Sequence, residues 1–147
     1  MKSLNRVEMI VTVLDEPQIY VMDRYIQCAI FRVFESVEIQ SNKGNDLHVN
    51  TFNIVAWNEL SNIAYQFLDV GHTIFLEGYL CTRLVRKDTV VFLIAEVVMT
   101  DVIILHHKDD NRYCPYIPDK DEYQAYFYEP PLYPDVRMLD RLGITKK

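Results

Sequence analysis

The fold of this chain is decided by the stretch TFNIVAWNELSNIAYQFLDVG at residues 51–71 and the segment EGYLCTR at residues 77–83. The alternating residues that lead to Trp57 predict a half-buried strand. Apolar residues then recur at the spacing of one helix face: Leu60, Ile63, Ala64, Phe67 and Leu68. Asn58 is expected to cap the start of this helix, and Gly71 stands where a helix end favours glycine.

Four more strands are predicted around this centre. The five predicted strands are 7–13, 26–34, 49–57, 73–84 and 90–105, with turns near residues 15–17, 41–46 and 86–88. One helix between the third and fourth of five strands is the arrangement of the oligonucleotide-binding (OB) barrel, an all-β fold. A five-stranded SH3-type barrel does not normally place its helix there. The sequence therefore predicts a five-stranded OB barrel.

Three segments resemble the bacterial and organellar single-stranded-DNA-binding protein (SSB) family. They are NRVEMI at residues 5–10 with DEP at 15–17, VAWNEL at 55–60, and EGYLCTR at 77–83. The resemblance covers about residues 4–105 and identifies the chain as a diverged member, similar to SSB-like proteins encoded by some plastids. It implies single-stranded DNA binding by aromatic stacking and by cations on phosphates. It also implies a homo-oligomer formed through Val7 to Leu14.

The resemblance supplies candidate DNA contacts, although several of the family's contact positions have changed. Where the family has stacking or basic residues, this chain has Thr51, Asn53, Glu59, Asp69, Leu84 and Val85. The candidate nucleic-acid-binding residues that remain are Arg32, Phe34, Trp57, Arg83, Arg86 and Lys87. The alternative interpretation makes Trp57 a core or interface residue and the cations solvated hairpin residues. Single strands are therefore expected to bind weakly.

Composition argues against several other classes of protein. The net charge is −6, which gives nucleic acid no general electrostatic attraction. The three cysteines have no CxxC spacing, and the four glycines are too scattered for a phosphate-binding loop. No metal, no cofactor and no enzymatic activity are expected. No apolar run is long enough for membrane insertion. The first residues show no pattern of a signal peptide or presequence, so the expected location is the cytoplasm or an organelle interior such as the plastid.

The chain divides near residue 108 into an OB domain, 1–108, and an extension, 109–147, that we call the C-terminal arm. The arm is rich in aromatic residues and proline, unlike a solvated linker. Its candidate partner-binding residues are Tyr113, Tyr116, Tyr123, Tyr126, Phe127, Tyr128 and Tyr133. The arm either docks on another protein or folds back over its own barrel, and residues 136–142 can form two helical turns.

Two functions remain open at this point. The first is weak binding of single-stranded DNA by a diverged SSB-like barrel. The second is a non-catalytic role as a protein-interaction subunit of a larger complex, in which the barrel is a scaffold and the C-terminal arm docks on a partner.

Overall fold

The computed structural model describes residues 3–110, 117–119 and 130–144. Its six strands are β1 Val7–Val13, β2 Gln18–Asp23, β3 Ile26–Ser41, β4 Gly44–Trp57, β5 Thr73–Lys87 and β6 Val90–His106. Its two helices are α1 Glu59–Phe67 and α2 Val136–Leu142. The predicted two-turn helix at 136–142 is thereby confirmed.

The strands form one sheet in the order β1-β5-β6-β4-β3-β2, and a further pairing of β1 with β3 closes it. Thr12 lies opposite Phe34, and Val13 lies opposite Val33, in this closing contact. The helix α1 connects β4 to β5, so the OB barrel is confirmed. The short strand β2, which pairs with β3 as a hairpin, adds a sixth strand to the five predicted ones.

The barrel interior is filled by one apolar cluster. Alternate residues of each strand contribute to it, among them Val11, Phe31, Ile54, Leu76 and Met99. Ala64 and Leu68 bring α1 into the same cluster. Phe67 was expected on this buried face, but it is 56 % exposed, because the face that α1 turns toward the barrel carries Ser61, Ala64 and Leu68.

The ends of α1 differ from the prediction in detail. Asn58 occupies the cap position with φ 49°, yet its side chain makes no capping bond to the helix. Its Oδ1 accepts instead from the backbone N–H of Gln27 at 3.0 Å, which ties the helix start to β3. Gly71, with φ 93°, lies beyond the helix end in the turn, where its N–H donates to the carbonyl oxygen of Val13 at 2.9 Å.

Two long hairpins extend from the barrel. In the first, β3 and β4 pair from Cys28 and Trp57 out to the turn, where Gly44 has the expected positive φ of 117°. In the second, β5 and β6 pair out to Lys87 and Val90. Both strand pairs are longer than the sequence predicted. The division of the chain at residue 108 stays a prediction.

Candidate nucleic-acid interface

Most of the predicted DNA contacts share one face of the sheet. Because side chains alternate along a strand, Arg32 and Phe34 on β3 point the same way as Trp57 on β4, on the side opposite the barrel interior. The register of β5 with β6 places Arg83 and Lys87 on this side as well. We call this side the outer face. Its members on β3, β4, β5 and β6 include Cys28, Arg32, Phe34, Val55, Trp57, Tyr79, Cys81, Arg83, Lys87, Glu96 and Val98.

The two predicted stacking rings on the outer face are both buried. Trp57 is 3 % exposed and packs in a second apolar cluster with Cys28, Tyr79 and Val98. Phe34 is 2 % exposed. A base stacks on a ring only where the flat side of that ring is accessible. Neither ring therefore offers a stacking surface in this conformation of the chain.

The two arginines at the centre of the outer face are engaged by carboxylates. Arg32 forms a two-pronged ion pair with Asp15, with Nε–Oδ2 at 2.6 Å and Nη2–Oδ1 at 3.0 Å. Arg83 donates from Nε to Glu96 Oε1 at 3.0 Å, and the Glu96 side chain is only 4 % exposed. Geometry of this kind holds both guanidinium groups in place and cancels their charge locally.

The remaining predicted contacts lie at the tip of the hairpin formed by β5 and β6. Arg86 and Lys87 are both exposed. They point to opposite sides of the hairpin, since they are consecutive on β5, and only Lys87 belongs to the outer face. Asp88 follows in the turn with φ 55°. The tip thus presents one cation on each side of the hairpin.

Part of the outer face is covered by α2. Met138, which is 2 % exposed, packs on the cluster around Trp57. Asp135, at the start of the helix, accepts hydrogen bonds from the Tyr79 hydroxyl and the Cys81 thiol, each at 2.8 Å. Sequence reasoning missed Tyr79 and Cys81, although their alternation with Arg83 places them on its side of the strand.

Burial also determines the chemistry of the two cysteines on this face. It raises the pKa of the Cys28 thiol to about 12, and the nearby Glu96 acts in the same direction. Burial, with the hydrogen bond to Asp135, likewise raises the pKa of Cys81 to about 12. Both thiols are therefore protonated at neutral pH and are poor nucleophiles.

Of the predicted partner-binding residues, only Tyr133 can be placed, and its side chain is 61 % exposed. The other six lie outside the described residues: Tyr113, Tyr116, Tyr123, Tyr126, Phe127 and Tyr128. Exposed apolar side chains also occur on the barrel itself. Leu84 and Leu93 lie opposite each other on the β5–β6 hairpin, on the side away from the outer face, and each is 69 % exposed.

A second surface carries an accessible aromatic ring that the sequence did not single out. Tyr25, in the turn between β2 and β3, is 74 % exposed, and the guanidinium carbon of Arg24 lies 5.6 Å from its ring centre. The turn borders an open groove of about 370 Å³ beside the start of α1. Asp23 and Glu59 also line this groove and repel phosphate.

The described residues contain no group of three His, Cys, Asp or Glu side chains arranged to hold a metal ion. Within residues 3–110, 117–119 and 130–144, no helix is both long and apolar enough to cross a membrane.

The closed barrel and the position of its helix define an oligonucleotide-binding (OB) fold. The model of the single-strand binding protein family matches residues 4–105, and the chain belongs to this family. Proteins of the family bind single-stranded DNA and are not enzymes. No curated protein sequence matches the chain at a significant level.

Solved structures of similar fold come from the same family. A Plasmodium falciparum SSB in complex with single-stranded DNA has a TM-score of 0.66 and 21% identity, and the match covers 72% of this chain and 98% of that one. A small Streptomyces coelicolor single-stranded DNA-binding protein has a TM-score of 0.55 and 17% identity, covering 67% and 92%. A deletion mutant of the single-stranded DNA-binding protein from Thermus aquaticus has a TM-score of 0.60 and 18% identity. The match covers 70% of this chain and 51% of that one.

Proposed function

We propose that this chain binds single-stranded DNA weakly through the outer face and the β5–β6 hairpin. The observation that carries the proposal is the placement of Arg32, Trp57, Arg83 and Lys87 on one side of the sheet. An OB barrel of this family combines aromatic platforms with cations along such a surface. Arg86 adds a cation at the hairpin tip.

The weakness of the interaction has two physical sources. Thr51 and Asn53 stand on the outer face at positions where the family has stacking or basic side chains, and each missing stacking platform costs about 1–3 kcal/mol. In addition, Asp15 and Glu96 already neutralise Arg32 and Arg83. A phosphate has to compete with these carboxylates, so the two arginines contribute less than their number implies.

The proposal is tested by titrating labelled oligo(dT) with the full-length protein at about 20 mM and about 150 mM salt. Fluorescence anisotropy of the oligonucleotide reports binding, and the single tryptophan, Trp57, gives a second signal. Binding that is measurable at low salt and lost at higher salt is the expected result. No binding at about 20 mM salt contradicts the proposal.

A matched pair of variants locates the contact. Lys87→Gln removes a cation at the hairpin tip, whereas Lys108→Gln removes one that pairs with Asp69 at 3.2 Å, near the end of α1. Both variants change the net charge equally, so long-range effects are the same. We expect oligo(dT) affinity to fall several-fold in Lys87→Gln and to stay unchanged in Lys108→Gln. Equal effects would place the contact elsewhere.

The alternative function is that of a protein-interaction subunit whose barrel serves as a scaffold. The burial of Trp57 and Phe34 favours it, because these rings then act as structural residues. The exposed Leu84 and Leu93 and the aromatic C-terminal arm offer apolar surface for a partner. A partner that co-purifies with the wild type and with Leu132→Ala, but not with Tyr133→Ala, supports this role.

Association of identical chains through Val7 to Leu14 is part of the proposed function. On one side, β1 pairs with β5 from Val7 to Thr12, whereas on its other side it pairs with β3 only at Thr12 and Val13. A strand edge of this kind can pair with a second chain. Native mass spectrometry tests it, and a purely monomeric protein at high concentration contradicts it. We also propose a location in the cytoplasm or in an organelle interior such as the plastid.

A further inference from the structure

The helix α2 lies on the part of the outer face that carries Trp57 and Tyr79. Met138 packs on the cluster that contains Trp57, Tyr79, Val55 and Val98, and Leu142 and Ile144 extend the contact. Trp57 is 3 % exposed and Tyr79 is 4 % exposed. These are the aromatic rings of the cluster that lie on β4 and β5.

The carboxylate of Asp135 attaches the start of α2 to β5. Asp135 accepts from the Tyr79 hydroxyl at 2.8 Å, from the Cys81 thiol at 2.8 Å, and from the backbone N–H of Met138 at 2.7 Å. The last of these bonds is the N-terminal cap of the helix. Arg137 also lies 5.4 Å from the centre of the Tyr79 ring. Asp135 therefore both begins α2 and fixes it to the sheet.

This helix depends on the sheet for its own structure. It has seven residues, whereas isolated helices shorter than about 12–15 residues are marginal in water. Its stability comes from burying Met138 and Leu139, which are 2 % and 6 % exposed. Leaving the sheet therefore means losing the helix, and a ligand that takes the same surface converts α2 into open chain.

We propose that α2 and single-stranded DNA compete for the Trp57–Tyr79 end of the outer face, so that α2 acts as a displaceable cover of the binding surface. The inference rests on the proposed DNA-binding function. Two ligands of one surface exclude each other reciprocally. The measured DNA affinity is then the intrinsic affinity reduced by the fraction of molecules in which α2 has left.

The competition is tested first on the wild-type, full-length protein by amide hydrogen exchange with and without saturating oligo(dT) at low salt. The backbone N–H groups of Leu139, Gly143 and Ile144 donate within α2 or its C-terminal turn. We expect their exchange to speed up at least about tenfold in the complex, since bound DNA shifts α2 to the open state. Exchange that is unchanged or slower in the complex overturns the proposal.

Two variants on the same helix provide the second test. Met138→Gln places a polar amide where the side chain is buried, and Val136→Gln makes the same type of change at a position that is 68 % exposed. Neither changes the net charge. We expect Met138→Gln to expose Trp57 to acrylamide quenching and to tighten oligo(dT) binding by about fivefold or more. Val136→Gln should alter neither measurement.

The outcomes separate this inference from the function on which it rests. If none of the three proteins binds oligo(dT) at low salt, the DNA-binding function itself fails. If all three bind with equal affinity while Met138→Gln exposes Trp57, DNA binding stands and the competition is overturned. If Met138→Gln does not fold, the hydrogen-exchange result on the wild type decides.

Discussion

At Gly78 the backbones of β5 and β6 lie too close together to leave room for a side chain. A Cβ atom built there would lie 2.2 Å from the carbonyl oxygen of Val98 and 2.9 Å from a side-chain methyl of Val97. The first of these atoms belongs to the backbone and cannot move alone. The pairing of β5 with β6 shifts its register between Glu77 and Gly78. A glycine is therefore required here for the two strands to pair.

We therefore expect Gly78→Ala to lower the free energy of unfolding by about 3 kcal/mol. Gly143→Ala is the matched control, because its φ is 70° and no atom lies within 4 Å of the added Cβ. That change costs only the left-handed conformation, about 1 kcal/mol. Urea denaturation measures both variants. Equal losses would mean that the strands separate easily at the bulge.

Arg83 has a structural role that can be measured apart from DNA. Its partner Glu96 has a side chain that is 4 % exposed, and removal of one member of a buried pair leaves a costly charge. We expect Arg83→Met to destabilise the protein by about 3 kcal/mol. The double variant Arg83→Met/Glu96→Gln should recover most of that loss. A single variant as stable as the wild type would show that Arg83 is held only loosely.

His72 makes the stability of the barrel depend on pH. The ring is 5 % exposed, and its Nδ1 accepts from the backbone N–H of Asp69 at 3.2 Å. Burial lowers the pKa of His72, and His107 and Lys108 add to the effect while Asp69 opposes it. The unfolded chain consequently binds a proton more readily than the folded one below about pH 6.5. Stability should fall as the pH falls from that value.

We expect a smaller loss of stability between about pH 7 and pH 5 in His72→Asn, which keeps an acceptor near the Nδ1 position. His48→Asn is the matched control, because His48 is exposed on β4. Urea midpoints at the two pH values measure the difference. The same pH dependence in all three proteins would assign it to other groups.

At the scale of elements, α1 provides a direct test of how the helix meets the barrel. Leu68, at its C-terminal cap, is 2 % exposed, whereas its neighbour Phe67 is 56 % exposed. We expect Leu68→Ala to lower the free energy of unfolding by about 3 kcal/mol. Phe67→Ala should lower it by less than about 1 kcal/mol. A larger loss from Phe67→Ala would indicate a contact of this ring in an oligomer.

The order of elements could be predicted because each has its own local pattern. The alternation before Trp57 and the helical spacing after it depend only on neighbouring residues. The strand β2 was missed because its residues alternate weakly and are stabilised by pairing with β3. Phe67 was misplaced because the buried face is centred on Ser61, Ala64 and Leu68, and the small polar Ser61 did not mark this face in the apolar pattern.

The candidate site was less accessible to sequence reasoning. Alternation along β3, β4 and β5 puts Arg32, Trp57 and Arg83 on one side of their strands. Arg32 forms its ion pair with Asp15, and Arg83 forms its ion pair with Glu96. Trp57 packs in one cluster with Met138, which is far from it in the chain. Such contacts leave no periodic signal in the sequence.

At the scale of the whole molecule, net charge and paired arginines determine how DNA binding responds to salt. The chain carries a net charge of −6, so its general field opposes a polyanion. Binding must therefore come from local cations. Arg86 and Lys87 are exposed at the hairpin tip, so they are the predicted contacts that a phosphate reaches most directly.

Each phosphate contact on a single strand contributes about −0.7 to the slope of log K against log salt concentration. With Arg86 and Lys87 as the effective contacts, we expect a slope of about −1.4, and about −0.7 in Lys87→Gln. Anisotropy titrations of oligo(dT) at several salt concentrations measure these slopes. A wild-type slope of about −2.8 would mean that Arg32 and Arg83 leave their carboxylates on binding, since four cations would then contact phosphates. In that case Asp15 and Glu96 would have to be released from Arg32 and Arg83 as the strand binds, and the outer face would rearrange well beyond α2.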